Sequence, residues 1–272
     1  MPDFDLEPMT AGEVLATAMR IYWGRFGLLV RLAAGFVLPV EILSVVLVGQ
    51  STSSRSSLIS ELALVAASQL ATAACLQAVS AEYLGQDTTW RSAMEFVWHR
   101  SGPVLALALV EMVLIGLGLI VFVVPGIYLL VALLVATPAL LVERLDPIAA
   151  LQRSRVLTLG AWFRTAGTYL LASLFVALVA LVPALVIIKG AGGTGVSVDP
   201  HPFLAQLASV LTPVIATPFM ATIVVLIYYD LRVRKERFTL DELARSVSLD
   251  PRMTDRARFE PRDDPPYPDD PR

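Results

Sequence analysis

The chain has 272 residues, of which 56% are hydrophobic and 17% charged, with a mean hydropathy of +0.68 and a formal net charge of -3. A soluble domain of this size carries about 25% charged residues, so the composition excludes an ordinary soluble fold, and the lack of a basic surface excludes a nucleic-acid partner. The lone cysteine, Cys75, and the distant pair His99 and His201 exclude an internal disulfide framework and offer no metal-ligand spacing, so no cofactor is expected.

The N-terminus, Met1-Pro2-Asp3-Phe4-Asp5, is acidic where a signal peptide would be basic, so the first apolar run is expected to stay as a membrane helix. A bilayer crossing takes roughly 20 helical residues. Six runs meet that length, at about residues 26–49, 58–84, 103–124, 126–142, 165–188 and 203–229. The third and fourth form one stretch interrupted at Val124-Pro125-Gly126, where proline lacks an amide and glycine permits a turn. As a single helix that stretch would be about 60 Å long, twice the roughly 30 Å of a bilayer core. Two crossings joined by a tight turn are therefore expected. The fold class is all-α: a polytopic transmembrane helical bundle with an integral domain over residues 1–249. Residues 250–272, packed with Pro, Asp and Arg, read as a disordered tail.

A short amphipathic helix is expected before spans one, three and five. Val14, Leu15, Ala18, Ile21 and Tyr22 follow helical spacing in the first. Asp87-Thr88-Thr89 offers an N-cap region for the second, whose apolar face would hold Trp90, Ala93, Met94, Val97 and Trp98. Asp146-Pro147 opens the third, which continues through Ile148, Ala149 and Leu151. Tryptophan and arginine suit helices at a membrane surface. Thr17-Ala18-Met19…Trp23…Arg25 aligns with Ser92-Ala93-Met94…Trp98…Arg100. Leu70-Ala71-Thr72-Ala73, Val135-Ala136-Thr137-Pro138 and Ile215-Ala216-Thr217-Pro218 share a pattern in spans two, four and six. The reading is three repeated units, each an interfacial helix followed by a transmembrane hairpin.

Arginine and lysine alternate with the crossings. Arg20 and Arg25, Arg91 and Arg100, Arg144 to Arg164, and Arg232 to Arg237 fall on one side, against Arg55 and Lys189 on the other. The positive-inside bias then places both termini in the cytoplasm. The loops at residues 50–57 and 190–202, rich in Ser, Thr and Gly, would face outward. Few lysines and abundant Ala, Val, Leu and Arg point to a GC-rich bacterium, hence to the plasma membrane.

Several blocks carry a family resemblance: Val124-Pro125-Gly126-Ile127-Tyr128, Val142-Glu143-Arg144, and Ala149-Ala150-Leu151-Gln152-Arg153-Ser154-Arg155. The best of them is Ile227-Tyr228-Tyr229-Asp230-Leu231-Arg232-Val233-Arg234-Lys235-Glu236, followed by Leu240-Asp241-Glu242-Leu243. With Thr10-Ala11-Gly12-Glu13-Val14-Leu15 at the start, the chain from about Thr10 to Leu243 resembles the membrane domain associated with glycerophosphoryl diester phosphodiesterases, in its stand-alone bacterial form. The resemblance implies no enzyme activity, because the parent enzymes carry theirs in a separate soluble barrel that has no counterpart here. His99-Arg100-Ser101 is faintly similar to that barrel's His-Arg-Gly signature but lacks its acidic partners.

Ionisable groups within the spans are functional candidates by default. Glu111 lies about 12 Å into span three at helical rise, and Glu41 follows Pro39 in span one. Gln69 and Gln77 in span two and Gln206 in span six are further polar candidates, and Glu61 should reach the interface. These groups either line a cavity or bond between packed helices. Arg144, Arg153, Arg155 and Arg164 form a basic cluster suited to anionic lipid head groups, at about 1 kcal/mol each. Glu13, Glu143 and Asp230 beside the arginines read as members of exposed local ion pairs. Gly116 and Gly118 favour close helix contact. The expected role is a non-enzymatic scaffold or regulator in the bilayer, working with a membrane-protein partner or as a homo-oligomer. The alternative is a small transporter or channel using Glu41 and Glu111. A membrane-embedded enzyme ranks last, since two isolated histidines supply neither a metal cluster nor a nucleophile with its base.

Overall fold

Two threonines start helices in the same way. Thr10 accepts from the Glu13 amide at 3.3 Å while the Glu13 carboxylate takes the Thr10 amide at 2.6 Å, and Thr89 and Ser92 reciprocate in the same pattern. These capping boxes satisfy amides that a helix start otherwise leaves open. The computed structural model describes residues 9–48, 54–83, 88–192 and 202–236, and every regular element among them is an α-helix. The tail at 250–272, residues 240–243, residues 50–53 and 193–201 of the two outward loops (His201 among the second) and Asp87 lie outside the described residues, as does the side chain of Gln206.

The helices are α1 (Ala11–Gly24), α2 (Phe26–Val48), α3 (Ser54–Tyr83), α4 (Trp90–Val121), α5 (Val123–Leu133), α6 (Ala136–Val142), α7 (Pro147–Thr158), α8 (Trp162–Gly192) and α9 (Pro202–Glu236). Six stretches are long and apolar enough to cross a membrane, with α5 and α6 together forming one of them. The chain is a multi-pass helical membrane protein. Successive helices pair as hairpins, α2 with α3, α4 with α5 and α8 with α9.

Within each hairpin the two helices differ. The spans of α3, α5–α6 and α9 are 50%, 56% and 61% buried, against 22%, 22% and 17% for α2, α4 and α8. The second helix of every hairpin is thus an inner one and the first an outer one. α1, the start of α4, and α7 close around the ends of the inner helices, where the main core lies. The aligned repeat positions agree: Ala18 and Ala93 are fully buried, while Trp23 and Trp98 are exposed.

Three expectations need correction. First, the turn between spans three and four falls at Phe122, in extended backbone, and not at residues 124–126. Pro125 sits in the first turn of α5, where its missing amide costs nothing. Gly126 instead permits contact: a Cβ there would lie 2.8 Å from the Leu119 amide nitrogen, and one on Gly118 3.0 Å from the Gly126 Cα. Gly116 faces nothing within 4 Å. Second, Pro103 does not begin a helix. It forgoes one hydrogen bond and α4 runs through it, so the second amphipathic segment is the first part of a 32-residue helix. Its buried residues are Ala93, Phe96 and Val97, with Trp98 outside. The sequence left the placement of α1 open, and the structure packs it along α9. Met9 meets Asp230 and Tyr22 meets Ile215, so α1 follows about 22 Å of α9. Its stripe Val14, Ala18, Ile21 and Tyr22 faces protein. Third, Ile148 is on the exposed side of α7, which buries Ala150, Leu151, Ser154 and Leu157.

Candidate functional site

Polar chemistry concentrates in two places: the arginine-rich end of the bundle and one point inside the spans. The first begins with a broken helix. α5 and α6 are separated at Leu134 and Val135, which leaves the Ala132 carbonyl without its usual helical donor. Ser154 donates to it at 2.8 Å and Thr158 at 3.3 Å, both from α7. α6 then ends with Arg144 at φ 53°, and the Leu145 amide returns to the Leu140 carbonyl at 3.1 Å. This is a Schellman turn in which arginine occupies the left-handed position that glycine usually takes. The turn aims α7 back across the helix break.

Glu143, at the end of α6, is a hub. Arg153 reaches it at 2.7 Å and also pairs with Glu236, and the Tyr228 hydroxyl donates to Glu143 at 3.0 Å. Arg232 closes the ring, 3.0 Å from Glu236 and 3.9 Å from Glu143. Burial alone would lower the Arg153 pKa, but the carboxylates of Glu143 and Glu236 raise it above the usual value and hold the charge in place. Lys235 donates to the Val156 and Leu159 carbonyls, both at 2.6 Å, and so caps the C-terminus of α7.

Asp230 is a second hub, only 4% exposed. It accepts from the Met9 amide at 2.7 Å, from Arg234 at 3.0 Å, and pairs with Arg164 at 3.2 Å. Arg164 and Arg234 both donate onward to the Met9 carbonyl. One peptide group ahead of α1 is thus clamped by α8 and α9. The Glu13 carboxyl of α1 lies below the usual carboxylate range because the Thr10 backbone amide donates to it. Inside the bundle the Ser80 and Tyr229 hydroxyls lie 2.5 Å apart, joining α3 to α9.

Of the four arginines expected to meet lipid head groups, Arg153 and Arg164 are spent on these ion pairs. Arg144 and Arg155 are exposed. The reading of Glu143 and Asp230 as members of exposed pairs is likewise corrected. Their carboxylates are largely shielded because three segments converge on each.

The intramembrane point joins three helices. Gln69 of α3 donates to Glu111 of α4 at 2.9 Å, and Thr137 of α6 donates to Gln69 at 3.3 Å. Glu111 is 8% exposed. Glu41 is partly exposed on α2, and among the described residues no hydrogen bond links it to Glu111. Gln77 is buried on α3 and Glu61 is exposed. Thr137 escaped the sequence reading as a partner, although the recurring Ala-Thr-Pro pattern contains it. No group of three His, Cys, Asp or Glu side chains is placed to hold a metal among the described residues.

Comparison of the chain with protein-family models, with curated proteins and with solved structures finds no match.

Proposed function

We propose that the chain is a non-enzymatic membrane scaffold or regulator in a bacterial plasma membrane, with both termini and the arginine-rich end in the cytoplasm. In this reading it is a stand-alone relative of the membrane domain associated with glycerophosphoryl diester phosphodiesterases. One observation carries the proposal. Asp230, Arg232, Arg234, Lys235 and Glu236, the charges of the block that best expresses the resemblance, are all spent on contacts within the chain. The block acts as a joint that fixes α1, α7 and α8 around α9, and it leaves the outer face of α7 to a partner. Ile148, Arg155 and Val156 are exposed there.

A photo-crosslinker at Ile148 or Arg155 in cells should then give discrete adducts that one at the lipid-facing Leu174 does not. Identical smears from all three positions would count against a partner surface. Single-cysteine labelling at Ser53, Gly160, Gly195 and Thr254, with Cys75 replaced, tests the orientation. Labelling of intact cells at Gly160 or Thr254 would reverse it.

The second reading, a transporter or channel, is favoured by Glu111, since an ionisable group within a span is expensive to keep. Its bonding to Gln69 and Thr137 supports the scaffold reading instead, because the carboxyl ties three helices together. Proteoliposome flux decides between them. The scaffold reading expects no difference between Glu111→Gln and the parent chain, whereas loss of a measurable flux in a folded variant would establish transport.

A further inference from the structure

Two carboxyl side chains are buried among the described residues, Glu111 and Asp230, and their partners differ in kind. Asp230 is held by the guanidinium groups of Arg164 and Arg234. A fixed opposite charge keeps such a carboxylate ionised. Glu111, inside the spans, has no cation beside it. Among the described residues its one hydrogen bond comes from the Gln69 amide nitrogen at 2.9 Å, and the other end of that amide takes the Thr137 hydroxyl at 3.3 Å. α4 packs against α2, α3, α5, α6 and α7. The described titratable groups of those helices, among them Arg31, Glu41, Glu61, Cys75, Tyr128, Arg153 and Arg155, exert no charge on Glu111, and neither do Glu95, His99 and Arg100 of α4 itself.

Both polar neighbours of Glu111 are able to reverse their roles. The Gln69 side-chain amide carries a donor and an acceptor, and half a turn about its last bond exchanges them without moving the helices. The Thr137 hydroxyl donates or accepts as it rotates. Two complete arrangements follow. With Glu111 ionised, Gln69 Nε2 donates to the carboxylate and Thr137 donates to Gln69 Oε1, which is the arrangement seen. With Glu111 protonated, the carboxyl O–H donates to Gln69 Oε1, and Gln69 Nε2 donates to Thr137 Oγ1. The Thr137 hydroxyl proton is then released toward the break between α5 and α6, where Pro138 has no amide to give the Leu134 carbonyl. An arginine in place of Gln69 would serve only the first arrangement, since it never accepts, and a leucine would serve neither.

We propose that Glu111, Gln69 and Thr137 form a reversible proton-binding site, in which the Gln69 amide turns over as Glu111 gains or loses its proton. The proton comes from water and returns to it, joining or leaving the carboxylate oxygen that faces Gln69, so nothing else is consumed. This site stands apart from both functional readings, since a proton binds there whether the bundle serves as a scaffold or carries flux.

The test is infrared difference spectroscopy of the purified full-length protein in lipid vesicles as the pH is stepped. A carboxyl C=O band that is absent from Glu111→Gln should disappear as pH rises, together with a change in a side-chain amide band that is absent from Gln69→Leu. Gln69→Leu also removes the donor to the charged form, and should move the midpoint of the C=O band by about one pH unit, the size of one charge-assisted hydrogen bond. Thr137→Val removes only the far end of the chain of bonds and should move it by less. A C=O band from Glu111 that persists, or stays absent, over the whole pH range in which the parent chain is folded would overturn the proposal. So would an unmoved midpoint in folded Gln69→Leu. Loss of the band on adding sodium chloride at constant pH would assign the three oxygens to a metal cation instead.

Discussion

The inner helices α3, α5–α6 and α9 and the outer helices α2, α4 and α8 overlap in hydropathy, yet one set is mostly buried and the other mostly faces outward. In a bilayer both environments are apolar, so hydropathy does not sort them. Small residues and hydroxyls do. α3 buries Ala71, Ala73, Ala74, Ala78 and Ser80, α6 buries Ala136, Thr137 and Ala139, and α9 buries Ala221 and Thr222. The outer helices present Leu109, Leu117, Leu170, Leu174 and Leu178 to the surroundings. Small side chains let backbones approach, and hydroxyls bond across the gap.

Substitutions can break that comparison in a graded way. The largest effect is expected at Asp230, on the innermost helix. Asp230→Ala removes the shared partner of Arg164 and Arg234 and of the Met9 amide, so thermal unfolding in detergent should show a loss of about 3 kcal/mol. Limited proteolysis should at the same time release the segment ahead of α1. An unchanged melting profile would mean that the clamp adds nothing to the packing beneath it.

Next comes the α4–α5 contact. Gly126→Ala places a methyl against the Leu119 backbone and should cost about 1–3 kcal/mol by overpacking. Gly116→Ala, in the same hairpin but facing open space, should be neutral or stabilise by up to about 1 kcal/mol. Equal effects would dissolve the distinction between the two glycines.

Ser154→Ala should cost about 1–2 kcal/mol, because the Ala132 carbonyl then keeps only the longer bond from Thr158. Ser173→Ala on outer α8, whose hydroxyl bonds only its own helix at Tyr169, is the matching control and should stay within about 0.5 kcal/mol. The smallest effect belongs to the turn after α6. Arg144→Gly relieves the left-handed backbone and should raise stability by about 0.5–1 kcal/mol. Destabilisation there would show that the arginine side chain contributes more than its backbone costs.

Glu13 adds a pH test. A carboxyl lowered on folding contributes stability above its unfolded pKa and loses it as pH falls through the folded value. The α1 cap should therefore hold at neutral pH and weaken below the usual carboxylate range, and Glu13→Gln should flatten that dependence. Hydrogen exchange at the Thr10 and Glu13 amides reports it.

Much of the architecture was legible in the residues. Six long apolar runs cannot be accommodated except as membrane helices, since each backbone amide must find its partner within its own segment. The repeat was visible in Ala18 and Ala93 and in Trp23 and Trp98, whose burial agrees pairwise. Glu111 and Gln69 were marked by their chemistry alone. Their pairing was not visible, nor was the separation of Glu41, because contact between two helices depends on rotation about their axes and apolar flanks leave that rotation open. The arginines misled for a related reason. A basic flank reads the same whether it meets phosphate or a carboxylate, and only the approach of Glu143 and Asp230 decides.

What the sequence determined by itself is the set of spans, their order as hairpins and the chemistry at their ends, all of which follow from local length, capping and hydropathy. The tertiary structure alone decided which helix of each hairpin goes inside, where the fourth span breaks, and which arginines stay free. Those outcomes rest on close backbone approach and on carbonyls freed by a broken helix, and neither exists until distant segments meet.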